Sequence, residues 1–425
     1  MGLVTQLMRL CMPAPEASIE LPAPSPSATV FHFKAPPPLS LYIHFPWCIK
    51  KCPYCDFNSH AVKDTLPEDA YIQALLKDLD SELPHVWGRT VQSIFMGGGT
   101  PSLISPAAME QLLSGIRARL PLKPNAEITL EANPGSAEQQ RFTGYRQSGI
   151  NRLSIGIQSF SDQQLNKLGR VHNAAEANRA AQAARDAGFD NFNLDLMFGL
   201  PEQTEAQALD DLQQAINLQP THLSWYQLTL EPNTLFHARP PKLPDEDSKW
   251  SMQEAGQSQL AAHGYTQYEV SAYAQPGRTC YHNLNYWGFG DYIGIGAGAH
   301  GKITDGGHGM ITRRWKQRHP QAYLASAGSE QCIDGQRNLT EAEAVFEFAL
   351  NQLRLKQGFE LGEFETRCGL QHSRILPALQ TAVSDGLLVL DGSHVRHTDK
   401  GWQFLNDLLE RFLPEEAQHA GSNTD

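Results

Sequence analysis

The chain has 425 residues, 41% of them apolar and 19% charged, which is enough to bury a large core and excludes a globally unfolded protein. Lys plus Arg number 34 against 46 Asp plus Glu, a net charge of −12, so a protein built to grip phosphate backbones is excluded and no nucleic-acid partner is expected. No apolar run approaches the ~18 residues of a membrane-spanning helix.

Residues 1–38 carry prolines at 13, 15, 22, 24, 26, 36, 37 and 38, which oppose a regular helix or central strand. Leu3–Met12 has its one basic residue, Arg9, inside the apolar stretch rather than before it, unlike a signal peptide. A disordered extension is expected for 1–38. From Leu41 the pattern becomes short β-rich runs alternating with helical stretches: Leu41–Phe45, Val91–Met96, Glu127–Glu131, Arg152–Ile157, Phe192–Met197 and His222–Leu228. Pro67 followed by two acids opens one helix, Ser105-Pro106 another, and the Ala-rich 174–187 stretch ends at Gly188. Six strand–helix units in series imply parallel strands with right-handed crossovers. Two short of a closed eightfold barrel, they predict an α/β fold, a partial (β/α)6 TIM-like barrel.

Residues 265–301 are rich in Tyr, Gly and Asn, and the barrel with this segment is expected over 39–305. A smaller, mostly helical domain is expected over 306–417, followed by a tail at 418–425. Phe346, Ala349, Leu350 and Leu353 recur at helical spacing, Ile375–Val383 is a second helix, and Leu387–Leu390, Asp391-Gly392 and Val395–Thr398 read as a β-hairpin. The whole resembles a winged helix. Its 13 acids against 7 bases over 340–417 oppose a DNA-binding wing, so a packing or lid role is expected.

Seven cysteines, an odd number in a long chain, do not read as a secreted disulfide scaffold, and a cytoplasmic location is expected. Cys48, Cys52 and Cys55 form Cys-x3-Cys-x2-Cys just past the first strand. Thiolates are soft ligands for zinc or iron–sulfur centres. His44 or His60 would close a zinc site as the fourth ligand; on a [4Fe–4S] cluster, three cysteines leave one iron open. The x3-then-x2 spacing is unlike a zinc ribbon and favours the cluster.

The strands deliver further polar groups at their C-terminal ends, the active face of βα barrels. Met96-Gly97-Gly98-Gly99-Thr100-Pro101 follows the second, where glycines are expected to let a ligand approach the backbone. Glu131 ends the third, Gln158 the fourth, and Asp195 lies near the end of the fifth.

The Cys-x3-Cys-x-aromatic-Cys loop, with Tyr54 as the aromatic, resembles the signature of the radical S-adenosylmethionine (SAM) superfamily. That resemblance implies a [4Fe–4S] cluster on Cys48, Cys52 and Cys55, with SAM bound through its amino and carboxylate groups to the open iron. An electron from the cluster then breaks the sulfonium bond. In the coproporphyrinogen III dehydrogenase branch the pattern implies SAM contacts at Tyr42, Gly98, Thr100, Glu131, Gln158, Arg170 and Asp195, the arginine being able to pair with a carboxylate in two places.

Two readings compete within the branch. The dehydrogenase, which decarboxylates coproporphyrinogen III to protoporphyrinogen IX, carries a fourth cysteine where this chain has Phe57. The sister HemW-type haem chaperones are more similar, with CDFNSH after the cluster loop and an HNxxYW motif, here His282-Asn283-Leu284-Asn285-Tyr286-Trp287. Imidazole is a haem-iron ligand and the two aromatics offer flat faces to a macrocycle. The resemblance therefore implies haem as cargo held at His282, acceptor haemoproteins as partners and an electron donor for the cluster; the dehydrogenase stays as the enzymatic alternative. A peripheral membrane contact and a homodimer remain open. Gly294-Ile-Gly296-Ala-Gly298-Ala299 fits a dinucleotide pattern but no helix follows it, so close backbone packing beneath the cofactor pocket is expected instead.

Overall fold

The computed structural model describes residues 31–62 and 65–414; the expected extension up to residue 30 and the 418–425 tail lie outside the described residues. Six strands, β1 (Leu39–Phe45), β2 (Val91–Gly98), β3 (Leu122–Ala132), β4 (Arg152–Gln158), β5 (Phe192–Phe198) and β6 (His222–Gln227), lie side by side in chain order, all parallel. Their outward apolar positions, among them Leu41, Ile43, Ile94, Leu130, Ile155 and Leu194, are buried under the crossover helices. Those helices begin where local chemistry allows. α1 (Glu68–Glu82) starts after Pro67, and α2 (Pro106–Arg117) is capped by Ser105, whose hydroxyl accepts the Ala108 N–H at 3.2 Å. α3 (Ala174–Asp186) carries a capping box of Asn173 and Glu176 and is followed by Gly188 at φ +85°. α4 (Glu205–Asn217) has the same device from Thr204 and Gln207.

The sheet does not close. Beyond β6, after α5 (Glu246–Ala262), it adds the short antiparallel strands β7 (Thr266–Gln267) and β8 (Ala272–Ala274). The Gly- and aromatic-rich segment then forms α6 (Tyr281–Trp287) and β9 (Asp291–Ile295), a seventh parallel strand that pairs with β1. Asp291 fastens it: the buried Lys302 ammonium donates to Oδ1 at 2.9 Å and Arg89 to Oδ2 at 2.8 Å. Three antiparallel strands, β10 (His300–Asp305), β11 (Met310–Lys316) and β12 (Ile333–Asn338), extend that edge to give twelve strands in all. The large sheet thus runs past the expected 305/306 boundary to Asn338, because β10–β12 hydrogen-bond onto β9.

The C-terminal unit follows. α7 (Glu341–Gln352), α8 (Leu361–Cys368) and α9 (Leu376–Ser384) pack on a three-stranded sheet of β13 (Phe359–Glu360), β14 (Leu388–Asp391) and β15 (His394–His397), in the order β13-β15-β14. Phe346, Phe348, Phe359 and Phe364 form a second core. Residues 31–38 join it rather than trailing free: Phe31 is buried, Phe33 packs beside it, and the His32 N–H donates to Gly369 O at 2.7 Å. Two phenylalanines between the prolines supply apolar area that the proline count conceals.

Candidate functional site

The cysteine loop leaves β1 at Phe45 and is held at both ends. Trp47–Cys48 pairs in parallel with His60–Ala61, while Asn58 donates through Nδ2 to Ala297 O and Arg318 O, each at 2.9 Å. Tyr54 and Pro53 anchor its far side, Tyr54 packing on Phe236, whose N–H donates to Pro53 O at 2.9 Å. Cys48, Cys52 and Cys55 are half-buried and free of disulfides. Burial pushes the Cys48 and Cys55 thiols up; Thr100 and Ser59 act against this at Cys48, and the Phe57 backbone and Ser59 at Cys55. Neither candidate histidine joins them. His44 donates from Nε2 to Asn58 O at 2.8 Å and its Nδ1 meets the Tyr42 hydroxyl at 3.0 Å, while burial lowers the ring to about 4, so it is a neutral, fully engaged imidazole. His60 stacks edge-on to His319 instead. Among the described residues no three His, Cys, Asp or Glu side chains converge as the ligands of one ion would. Three soft thiols spread along one loop fit a multi-iron cluster, in which each cysteine sulfur would bind a separate iron.

The strand ends meet this loop. Gly98 adopts φ +109°, and a Cβ there would lie 2.5 Å from the His44 ring; one on Gly99 would lie 2.5 Å from Trp47 O. The glycines are therefore required first by the protein's own packing against the loop, a closer cause than the ligand approach expected from sequence. Gly98 N–H donates to Glu131 Oε2 at 3.1 Å. Burial, then the Asp195 charge, raise the Glu131 carboxyl to about 8. Asp195 accepts from Ser154 Oγ at 3.0 Å and from Asn193 Nδ2 at 2.8 Å, and burial raises it too. Gln158, buried at the end of β4, sits at φ +62°, and its Oε1 has no hydrogen-bond partner. A strained, unsatisfied side chain of this kind marks a place where a ligand completes the bonding.

Arg170 is no surface cation. Its guanidinium donates to Gly156 O at 2.8 Å, Asn133 Oδ1 at 2.9 Å and Cys52 Sγ at 3.7 Å, with Nε buried and unbonded. Asn133, which sequence reasoning passed over, also donates through Nδ2 to Thr100 Oγ1 at 3.3 Å, linking Thr100 to Arg170. Its signal was its place in LEANP, two residues beyond Glu131 and so on the same face. Tyr42, Gly98, Thr100, Glu131, Gln158, Arg170 and Asp195 thus come from five neighbouring strands and their loops to one end of the sheet, beside the thiols. The glycine-rich 294–299 stretch underlies them. A Cβ on Gly296 would sit 2.3 Å from His44 O and one on Gly298 2.3 Å from Asn58 Nδ2, the close packing expected in place of a dinucleotide site.

His282, expected as a haem ligand, faces the interior beneath the sheet rather than solvent. α6 plugs the opposite end of the barrel, and its imidazole enters the interior, 6% exposed. It stacks on Phe95 at 5.1 Å, lies 6.4 Å from the Tyr42 ring and meets Ser93 Oγ through Nδ1 at 3.2 Å. Burial lowers it to about 3, so it is neutral. The two aromatics are half-buried, each with one face packed: Tyr286 lies on Tyr292 at 4.9 Å and the Arg354 guanidinium lies 4.3 Å over Trp287. Glu127, a further residue that sequence reasoning missed, holds α6 in place. Oε1 accepts the His282 N–H at 3.1 Å and the Cys280 thiol at 3.4 Å, Oε2 accepts the Tyr281 N–H at 3.2 Å, and Arg152 stands 3.9 Å away. Glu127, Thr129 and Glu131 alternate on one face of β3, an inward polar row legible from period two.

Comparison with known proteins agrees with this architecture. The Radical SAM superfamily profile matches residues 42–215 and the HemN C-terminal domain profile residues 339–404. Heme chaperone HemW of Escherichia coli is 54% identical over 89% of this chain and 99% of its own length. A mouse protein, radical S-adenosyl methionine domain-containing protein 1, mitochondrial, is 34% identical over 88% of this chain and 87% of its own. Among solved structures, coproporphyrinogen III oxidase (HemN) from Escherichia coli shares the fold at a TM-score of 0.75 and 24% identity, covering 89% of this chain and 90% of that one. A SAM and [4Fe–4S] site follows from the superfamily, and among the described residues no helix is long and apolar enough to cross a membrane. With more than half of the aligned residues identical to one such protein along nearly that protein's whole length, the chain belongs to the HemW family of the radical SAM superfamily.

Proposed function

We propose that the protein is a haem chaperone: it binds haem and hands it to acceptor haemoproteins, and it carries a SAM-liganded [4Fe–4S] cluster in the cytoplasm. The observation that carries the reading is the 54% identity to a protein named heme chaperone HemW along 99% of that protein. Cys48, Cys52 and Cys55 hold the cluster. When bound, cluster and SAM together supply one-electron chemistry, and the chain supplies position and shielding. Tyr42 and His44 fix the base of the loop, Gly98 and Thr100 face the amino group of SAM, and Arg170 its carboxylate. Glu131, Gln158 and Asp195 bind its ribose and adenine; the unsatisfied Gln158 Oε1 and Arg170 Nε support these assignments. An electron donor reaches the cluster from outside the chain.

The dehydrogenase reading draws its support from the shared fold, which at this identity carries no activity with it. Phe57, 59% exposed, stands where that enzyme's signature has its fourth cysteine. Haem titration of the anaerobically purified protein tests the proposal, run beside an assay converting coproporphyrinogen III to protoporphyrinogen IX. Stoichiometric haem binding without turnover supports the chaperone; turnover with SAM and a reductant replaces it with the enzyme.

A further inference from the structure

The backbone around Gln158 is held in a shape it would not adopt alone. Gln158 sits at φ +62°, and the Ser159 N–H donates to Ile157 O at 2.9 Å, closing a three-residue turn with a non-glycine at its centre. That is the rare, strained form of the γ-turn, and it persists only where its surroundings over-determine it. The strand slips at the same place. Gly156 and Gln158 pair with the consecutive residues Asp195 and Leu196 of β5, which leaves Ile157 as the extra residue of a bulge. Bulge and turn bring the Gln158 amide over Gly156, where a Cβ would lie 3.0 Å from Gln158 Nε2 and 3.5 Å from Arg170 Nη2. The amide is thereby set beside the Arg170 guanidinium, with Oε1 left unbonded.

Two side chains fix this turn from outside the strand. Ahead of it, His172 donates from Nε2 to Ile157 O at 3.0 Å. Behind it stands Asp211 of α4, whose Oδ2 accepts the Ser159 hydroxyl and whose Oδ1 accepts the Phe160 N–H, each at 2.6 Å. Asp211 is almost sealed from water, and among the described residues no cation comes within salt-bridge distance of it. Burial, with the Asp210 charge as a lesser cause, raises its carboxyl to about 6, so it is still ionised at neutral pH. A buried carboxylate without a counter-charge is costly. The helix has no use for it either, because Asp is a poor residue for a helix interior and Thr204 and Gln207 already cap α4. Its place is explained by what it holds. We infer that Asp211 is a positioning residue of the SAM site: it secures the strained turn that aims Gln158, and acts on the ligand only through that glutamine. The inference rests on the assignment of Gln158 to SAM above.

The test is equilibrium dialysis of SAM against the anaerobically reconstituted full-length protein. The change that SAM makes in the electron paramagnetic resonance spectrum of the reduced protein is a second readout. Asp211→Asn keeps the size of the side chain but offers one acceptor oxygen where two are used, and is expected to weaken SAM about fivefold. Ser159→Ala, a milder change that removes one of the two bonds, should weaken it about two- to threefold. Gln158→Gly takes the positive φ without strain but has no amide, and should cost about fivefold or more. Adding Asp211→Asn to Gln158→Gly should then cost less than about twofold further, because the coupling runs through the glutamine. If Gln158→Gly weakens SAM while Asp211→Asn and Ser159→Ala lower only the melting temperature, Asp211 is merely structural; the inference is overturned and the SAM assignment stands. If the two losses multiply in the double variant, Asp211 acts by another route and the inference is again overturned. If Gln158→Gly binds SAM as the wild type does, the assignment of Gln158 falls and the inference falls with it.

Discussion

Glu127→Ala removes the acceptor of two backbone N–H groups and one thiol at the head of α6, and takes away the counter-charge of Arg152. Both side chains are almost sealed from water, 5% exposed for Glu127 and 2% for Arg152. At about 4 Å and an effective dielectric near 20 the lost attraction is about 4 kcal/mol. Breaking a buried pair by deleting one partner costs about 3–5 kcal/mol by direct comparison. The two figures agree, and the loss is a large part of the ~5–15 kcal/mol that holds a typical domain. Among the described residues no other carboxylate comes within salt-bridge distance of Arg152, and Asp195 attracts it only from farther away. The assay is urea unfolding of the metal-free protein, followed by far-ultraviolet circular dichroism, for Glu127→Ala, Arg152→Met and the double variant. The single Glu127→Ala variant should lose about 3–5 kcal/mol, and the double should recover at least half of it because no unpaired charge stays buried. A single-variant loss below about 1 kcal/mol, or a double variant no more stable than Glu127→Ala, would refute the view that this pair anchors the motif helix.

Three further outcomes follow from the site. Gly98→Ala places a methyl 2.5 Å from the His44 ring at φ +109°, so the loop must shift; SAM affinity by equilibrium dialysis should fall about tenfold or more, from roughly 1–3 kcal/mol of backbone strain. Glu131, raised to about 8 by burial and Asp195, keeps in the folded state a proton that the unfolded chain releases near its ordinary value of 4.5. The stability it contributes is complete below that value and is lost as pH rises through 8. Melting temperatures of the wild-type protein should therefore fall relative to Glu131→Gln between pH 5 and 8.5, and a constant difference would show that the carboxyl is ionised throughout. In α5, Gly256→Ala would drive a methyl to 1.9 Å from the Trp225 ring, and overpacking of this kind costs about 1–3 kcal/mol; a lowered melting temperature with unchanged haem affinity is expected.

Local rules made much of this protein legible before any coordinates. The six parallel strands stand where short β-rich runs put them, because their outward positions must be apolar to pack under the crossover helices, and helices begin after Pro67 and Ser105, where start signals are a property of neighbouring residues. The cysteine loop was readable for the same reason: ligand identity and spacing lie within eight residues of chain. Tertiary structure alone decided what depends on partners far away. β9 became a seventh parallel strand because Lys302 and Arg89 neutralise Asp291, and Phe31 left the proline-rich segment for the C-terminal core because apolar area there was waiting to be covered. Above all, sequence showed that His282, Tyr286 and Trp287 stand together but not which way they face. Direction was set by Glu127, Phe95, Tyr292 and Arg354, each at least six residues away along the chain, because a side chain's surroundings are fixed only once the backbone has brought distant elements together.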